Sequence, residues 1–292
     1  MRLSECLSEK NAIVRDGDFS SIGTLFSHNP QQVVYAVSEQ DIRKIAGNPS
    51  VSCVITTAAL SQKVPCTVGI AAVRDPRREF QALQSLMARH PEFILPTFIN
   101  RISSSVKIHP SALIAPHSVV IGRDVVIEKN VVVNEQTIID EGSIIRSNCI
   151  IGDAVAPFGN THEGSLIQPP GGVHLHRDVD LHANIIIRRA AFKGYTEIGE
   201  QTKIDNLSTI GQGTVIGKHC LLCGGVTLGD FITIGDDGWI GPNVYLSDQI
   251  AIGNRVYITI GSRVSRDIAD AKVVKDNFVL DRNRFKGVIR GM

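Results

Sequence analysis

Thr202 to Gly217 reads TKIDNLSTIGQGTVIG, and its isoleucines Ile204, Ile210 and Ile216 fall six apart. Six is the period of neither a helix nor a strand. The step continues without a miss through Ile198, Ile204, Ile210, Ile216, Leu222, Leu228, Ile234, Ile240, Leu246, Ile252 and Ile258. Glycine follows the aliphatic at Gly199, Gly211, Gly217, Gly229, Gly235, Gly241 and Gly253. A fixed hexapeptide period marks a parallel β-helix. Each hexapeptide supplies one short strand and one corner, with the aliphatic pointing inward. The small residue after it is expected to let the chain turn without a Cβ clash. Three hexapeptides close a triangular coil, and coils stack at roughly the ~4.8 Å strand spacing. So narrow a core takes branched aliphatics, and the chain is only 5% aromatic.

The same step appears upstream at Ile121, Ile127, Val133, Ile139, Ile145 and Ile151, and again at Leu175, Leu181 and Ile187. Two breaks interrupt it, Ala156 to His174 and Arg188 to Glu197. Loops that leave a monotonous solenoid are where sites are usually built.

Residues 1–100 have another texture, that of a small α/β unit. SEQDIRKIAG begins with a capping-box pattern, Ser38 with Asp41, and stops at Gly47. VSCVITT and CTVGIAAV read as buried strands. DPRREFQALQSLMARHP reads as a helix with Asp75 as N-cap and Pro76 as first residue. Phe80, Leu83, Leu86 and Met87 are expected to form its apolar face, and Pro91 lies beyond its end.

The expected architecture is an α/β N-terminal domain (1–100), then a parallel β-helix (101–265), then a short polar C-terminal tail (266–292). With 292 residues, 43% hydrophobic and 20% charged, the composition is globular. A formal net charge of +1 gives no electrostatic reason to expect nucleic acid or an anionic membrane surface as partner. No apolar run is long enough to span a bilayer. The start, MRLSECLSEK, carries Glu5 and Glu9 and lacks a signal peptide's apolar stretch. The six scattered cysteines fit reduced thiols in a cytoplasmic protein.

An α/β unit joined to a hexapeptide prism resembles the UDP-3-O-acylglucosamine N-acyltransferases of lipid A synthesis. The resemblance rests on GIAAVRDPRREFQAL, VKIHPSALIAP, the FGN…IQPPGGV loop, IIIRRAAFKGYTEIG and TKIDNLSTIGQGTVIG, in matching order over residues 1–265. It implies a left-handed prism and a homotrimer with active sites in clefts between neighbouring prisms. It implies an acyl thioester donor and the amine of a nucleotide-linked sugar as acceptor. No permanently bound cofactor is implied; acyl-CoA or acyl carrier protein serves as co-substrate.

The departures from that family are specific. Its catalytic histidine, two residues after the inward isoleucine that follows IDN, is Gln212 here, and a second family histidine aligns with Gln249. Glutamine cannot serve as a base near neutral pH. Of two aromatics that sandwich uracil, Tyr35 matches one, while the other falls at or near Asp41. The family's acid in IDRGAL is Arg188 in IRRAAF. The helical tail that engages carrier protein is not apparent, which favours acyl-CoA as donor. Together these departures imply a changed acceptor, a nucleotide-linked amino sugar of O-antigen, capsule, lipopolysaccharide or another surface glycan.

With the usual histidine gone, His162 in NTHEG, followed by Glu163, is the replacement base this reading selects. Gln212 is expected to orient the amine or the carbonyl. Asn206 is placed against substrate or pantetheine, and Asp205, assigned to the corner itself, orients a neighbour or serves structure. His182 is placed in the acyl cleft. Arg188 and Arg189 face phosphates or a salt-bridged surface. Trp239 is expected to face outward, against a neighbouring chain or the donor, where it would wall the acyl groove. VHLHRDVDLH raises a metal alternative through His174, His176 and His182. The spacing does not match that of the zinc-binding prisms of γ-class carbonic anhydrases, and no metal is assigned. The lone CLLC is read as two thiols. Alternatives left standing are a sugar O-acyltransferase, a non-catalytic nucleotide-sugar binder and a metal-dependent hydratase.

Overall fold

The structure is a computed structural model that describes residues 1–7, 12–27, 29–154, 170–276 and 278–281. The chain divides into two compact units, one built on Met1–Leu95 and the other running from Pro96.

The first unit is a five-stranded sheet in the order β1 (Ile13–Arg15), β5 (Gly69–Ala72), β4 (Val51–Thr56), β3 (Gln32–Tyr35), β2 (Ser21–Ile22). Only the β1–β5 pair is antiparallel. Four helices accompany it: α1 (Leu3–Cys6), α2 (Glu39–Gly47), α3 (Ala58–Ser61) and α4 (Pro76–Met87). The capping box at α2 forms as expected, Ser38 accepting from the Asp41 backbone and Asp41 from the Ser38 backbone. Asp75 caps α4 through the Arg78 N–H. Phe80, Leu83 and Met87 are buried, but Leu86 is 50% exposed. At 100° per residue Leu86 lies about 100° from Met87, off the core stripe, so it does not share the face expected of it.

The second unit is a triangular prism of three stacked parallel sheets. Inward residues run down each face at one level per coil. Ile198, Ile216, Ile234 and Ile252 lie on the first face, Ile204, Leu222, Ile240 and Ile258 on the second, and Ile210, Leu228 and Leu246 on the third. All are essentially inaccessible to solvent. A second buried ladder stands two residues before the inward aliphatics and takes small side chains from Thr196 to Val226 (Thr196, Thr202, Ser208, Thr214, Cys220 and Val226) and larger ones at Ile232 and Ile250. Their hydroxyls bond backbone across coils, as Thr202 Oγ1 does in donating to Gly217 O at 2.8 Å and accepting from Cys220 N at 3.0 Å.

The corners correct the expectation for the glycines. Among the described residues, the position three after the inward aliphatic takes positive φ in every coil from Ile198 to Ile258: Gln201, Leu207, Gly213, His219, Gly225, Phe231, Asp237, Asn243, Gln249, Arg255 and Gly261. The glycines directly after the aliphatics of this stretch, Gly199 to Gly253, are not in this conformation. A Cβ on Gly211 would sit 2.2 Å from Gly229 O in the next coil. These glycines answer to close stacking of coils rather than to turning. Asp205, directly after Ile204, is likewise not the corner; Leu207 is, with φ 63°.

The residues expected as tail continue the fold. Ile268 and Val274 are buried in the prism core. Lys272–Lys275 pairs in parallel with Tyr257–Ile258, and Phe278–Asp281 returns antiparallel to it. All six cysteines are free. Cys149 and Cys220 are members of the small-residue ladder, and burial pushes both thiols up to about 11.

Candidate active site

His162 and Glu163 fall between Asp153 and Gly172, outside the described residues. The remaining candidates of the prism gather along two of its corners and one face.

The first corner follows the second face. His182 directly follows inward Leu181, and Asp205 directly follows Ile204 in the next coil. His182 Nδ1 lies 2.9 Å from Asp205 Oδ1. A ring that donates through Nδ1 to Asp205 turns Nε2 away from that carboxylate. Asp180 Oδ2 stands 3.9 Å from Nε2, beyond hydrogen-bond reach. Asn206 is tied into the same corner. Its backbone N–H and its Nδ2 both donate to Asp205 Oδ1 at 2.7 Å, and its Oδ1 accepts from Ala183 N at 3.0 Å. Asn206 thus fixes the Asp205 carboxylate and the backbone beside His182. Leu207 next to it is 68% exposed. An open groove of about 530 Å³ crosses the adjacent face, lined among others by Ile144, Asp180, Lys203 and Leu221.

The second corner follows the third face. Gln212 Nε2 donates to Asp230 Oδ2 at 3.0 Å and the Gln212 backbone N–H to Asp230 Oδ1 at 3.1 Å. The amide is locked with its carbonyl oxygen turned away from Asp230. Burial holds the Asp230 carboxyl above its usual range, against the opposing pull of the Gln212 hydrogen bonds. Arg188 approaches the same carboxylate, Nη1 to Oδ1 3.8 Å. Gln249 sits at a positive-φ corner and donates its backbone N–H to Asp230 O at 2.8 Å. The second break folds onto this edge. Phe192 stacks on Phe231 with centroids 5.8 Å apart, and Arg189 is buried with Nε donating to Gly171 O.

Trp239 faces outward from the second face, as expected, but is not bare. It stacks on Tyr257 at 4.2 Å with the rings 7° from parallel. Tyr35 belongs to the first unit, where its ring packs against Phe80 at 5.1 Å. Asp41, at the place of the second aromatic, is occupied by its capping box. Asp230 was not singled out from the sequence, although it stands eighteen residues after Gln212, one full coil, and that spacing was the available signal.

The Bacterial transferase hexapeptide (six repeats) family matches residues 118–153 and 195–230. A UDP-3-O-acylglucosamine N-acyltransferase of Helicobacter hepaticus is 37% identical over 270 residues, covering 86% of this chain and 80% of the relative. A probable mitochondrial UDP-3-O-acylglucosamine N-acyltransferase 2 of Arabidopsis thaliana is 33% identical over 42% of this chain and 45% of its own length. The chain therefore spans less than half the length of some of the curated relatives it matches. Among solved structures, a UDP-N-acetylglucosamine acyltransferase of Bacteroides fragilis is 24% identical with a TM-score of 0.46, over 65% of this chain and 79% of that one. The prism is a hexapeptide-repeat left-handed β-helix joined to an α/β unit. The chain belongs to the family of the UDP-3-O-acylglucosamine N-acyltransferases.

Proposed function

We propose that this protein is an N-acyltransferase that moves an acyl group from a thioester, acyl-CoA in preference to acyl carrier protein, to the amine of a nucleotide-linked amino sugar. The observation that carries this reading is the His182–Asp205 pair, fixed by Asn206 within the IDN segment, in a chain whose family position for the base is Gln212.

The amine attacks the thioester carbonyl; the N–C bond forms and the C–S bond breaks. His182 Nε2 takes the amine proton while Asp205 holds the ring, and the proton then neutralises the leaving thiolate. The carbonyl oxygen of Gln212, turned away from Asp230, accepts from the amine and aligns it. Alignment of two bound reactants supplies much of the acceleration. On the prism, Arg188 meets the nucleotide phosphates, and Trp239 with Tyr257 bounds the acyl groove. Gln249 lies on the Gln212 edge and lines the same cleft. His182 and Gln212 occupy different corners, and the reading has them meet across the clefts of a homotrimer in which each chain contributes one corner. His162 and Glu163 are kept as the rival base pair.

The test is incubation of the full chain with acyl-CoAs or acyl carrier protein and UDP- or dTDP-linked amino sugars, read by mass spectrometry. Transfer to the amine is expected, and no transfer from either donor class overturns the reading. His182→Ala is expected to lower kcat/KM about 100-fold. If only His162→Ala does so, the base is His162.

A further inference from the structure

On the first face, away from both corners, His174 in the strand Gly172–Leu175 and His176 directly after it flank inward Leu175 and so project outward. The coil below presents Asp140 and the coil above presents Glu197. His174 Nε2 lies 2.9 Å from Asp140 Oδ2, and His176 Nδ1 lies 3.8 Å from the same oxygen. One ligand atom from each of Asp140, His174 and His176 falls within 4.8 Å of the other two, the only such group among the described residues. The imidazole centroids are 4.0 Å apart.

We propose that Asp140, His174 and His176 bind a divalent transition-metal ion, with Zn²⁺ as the ion that fits. Ligand bonds of ~2.0–2.1 Å place tetrahedral donors ~3.3 Å apart, and the two measured donor separations bracket that spacing. Two imidazoles and one carboxylate suit Zn²⁺ and exclude the all-oxygen cations as preferred occupants. The second observation is the far side of His176. Its Nε2 lies 3.1 Å from Glu197 Oε2, so Glu197 fixes the tautomer that turns the Nδ1 lone pair toward Asp140. A carboxylate behind a liganding imidazole is the usual support of a metal site. The side chains are 22–39% exposed, leaving a fourth position open to water and an entry path for the ion. The site departs from the absence of metal expected from sequence, and His182 takes no part in it, being paired with Asp205 one face away.

The position suggests what the ion does. The step of six is interrupted in the sequence between Ile151 and Leu175, and the three ligands join the coil before that interruption to the first strand after it. The ion is a staple across the longest break in the solenoid.

The test uses the full chain without a polyhistidine tag, stripped with a chelator and titrated with Zn²⁺ against a chromophoric competitor, and with Co²⁺ followed by visible absorption. One equivalent per chain, a four-coordinate Co²⁺ band and a raised Tm are expected. His174→Ala and Asp140→Asn should weaken binding at least 100-fold, and Glu197→Gln, which keeps shape and cannot unfold the site by truncation, by roughly 10-fold. Binding that survives His174→Ala and Asp140→Asn, or that is lost in Cys220→Ala with Cys223→Ala instead, overturns the proposal. So does the absence of stoichiometric binding in the wild type.

Discussion

The coils from Ile198 to Ile258 and those between Ile139 and Ile198 are built from the same hexapeptide, yet they do opposite work. In the regular stretch every step is six and every corner turns at the third residue after the aliphatic. Its outward residues mostly serve stacking: Asp236 accepts from Lys218 N, and Asn254 from Asp236 N. In the interrupted stretch the chain twice leaves this pattern, and there histidines meet carboxylates across neighbouring coils: His174 with Asp140, His176 with Glu197, His182 with Asp205. Side chains of different levels meet in the regular stretch as well, Gln212 with Asp230 and His219 with Asp237, but there each pair is one full coil apart. The histidines of the candidate sites therefore sit in the interrupted stretch, while Asp205, Asn206, Gln212 and Asp230 sit in the regular one.

The sharpest way to break the comparison is to damage the regular core. Ile210 is fully buried, and Ile210→Ala should cost about 2–5 kcal/mol, seen as a lowered denaturant midpoint. The site chemistry of the molecules still folded should persist. The converse substitution is His182→Gln in the interrupted stretch. Here stability should stay within about 0.5 kcal/mol while turnover falls about 100-fold, a split that equilibrium unfolding and kinetics on one preparation will reveal. Equal loss of both would merge the two regions into one.

A third, smaller effect separates the ladders by pH. Cys149 and Cys220 are held up to about 11 by burial, while thiols in the unfolded chain titrate near their ordinary value of 9.0. Between these values the folded chain keeps protons that the unfolded chain gives up, so stability falls as pH rises from about 9 toward about 11. Cys220→Ala should flatten that fall in urea titrations at several pH values, whereas replacing the exposed Cys66 should not. The smallest effect belongs to the first unit. Leu86→Ala, on an exposed flank of α4, should shift stability by less than about 0.5 kcal/mol, against about 2–5 kcal/mol for buried Leu83→Ala.

The prism was legible because a period of six leaves a one-dimensional trace in the sequence. The helix at Pro76–Met87 and its Asp75 cap were legible because caps are local. The reason for the glycines was not, because Gly211 is explained by Gly229, a coil away. The site was legible only in part for the same reason. Gln212 could be placed by register, but its partner Asp230 lies eighteen residues on. The partners of His182 and His174 lie twenty-three and thirty-four residues away, because each break adds an irregular length to the coil. No local pattern announces a carboxylate at such distances, and the backbone pairing alone brings it into place.

The reversal at Phe278–Asp281 has a consequence for assembly. A stack of parallel coils exposes at its last turn the same hydrogen-bonding pattern that held every earlier turn, and is in principle an open template for the next molecule. On the second face the antiparallel strand changes the direction of that pattern, so an incoming first coil finds no parallel register to continue. Growth of this solenoid into fibres is thus opposed on that face by a single turn of the chain.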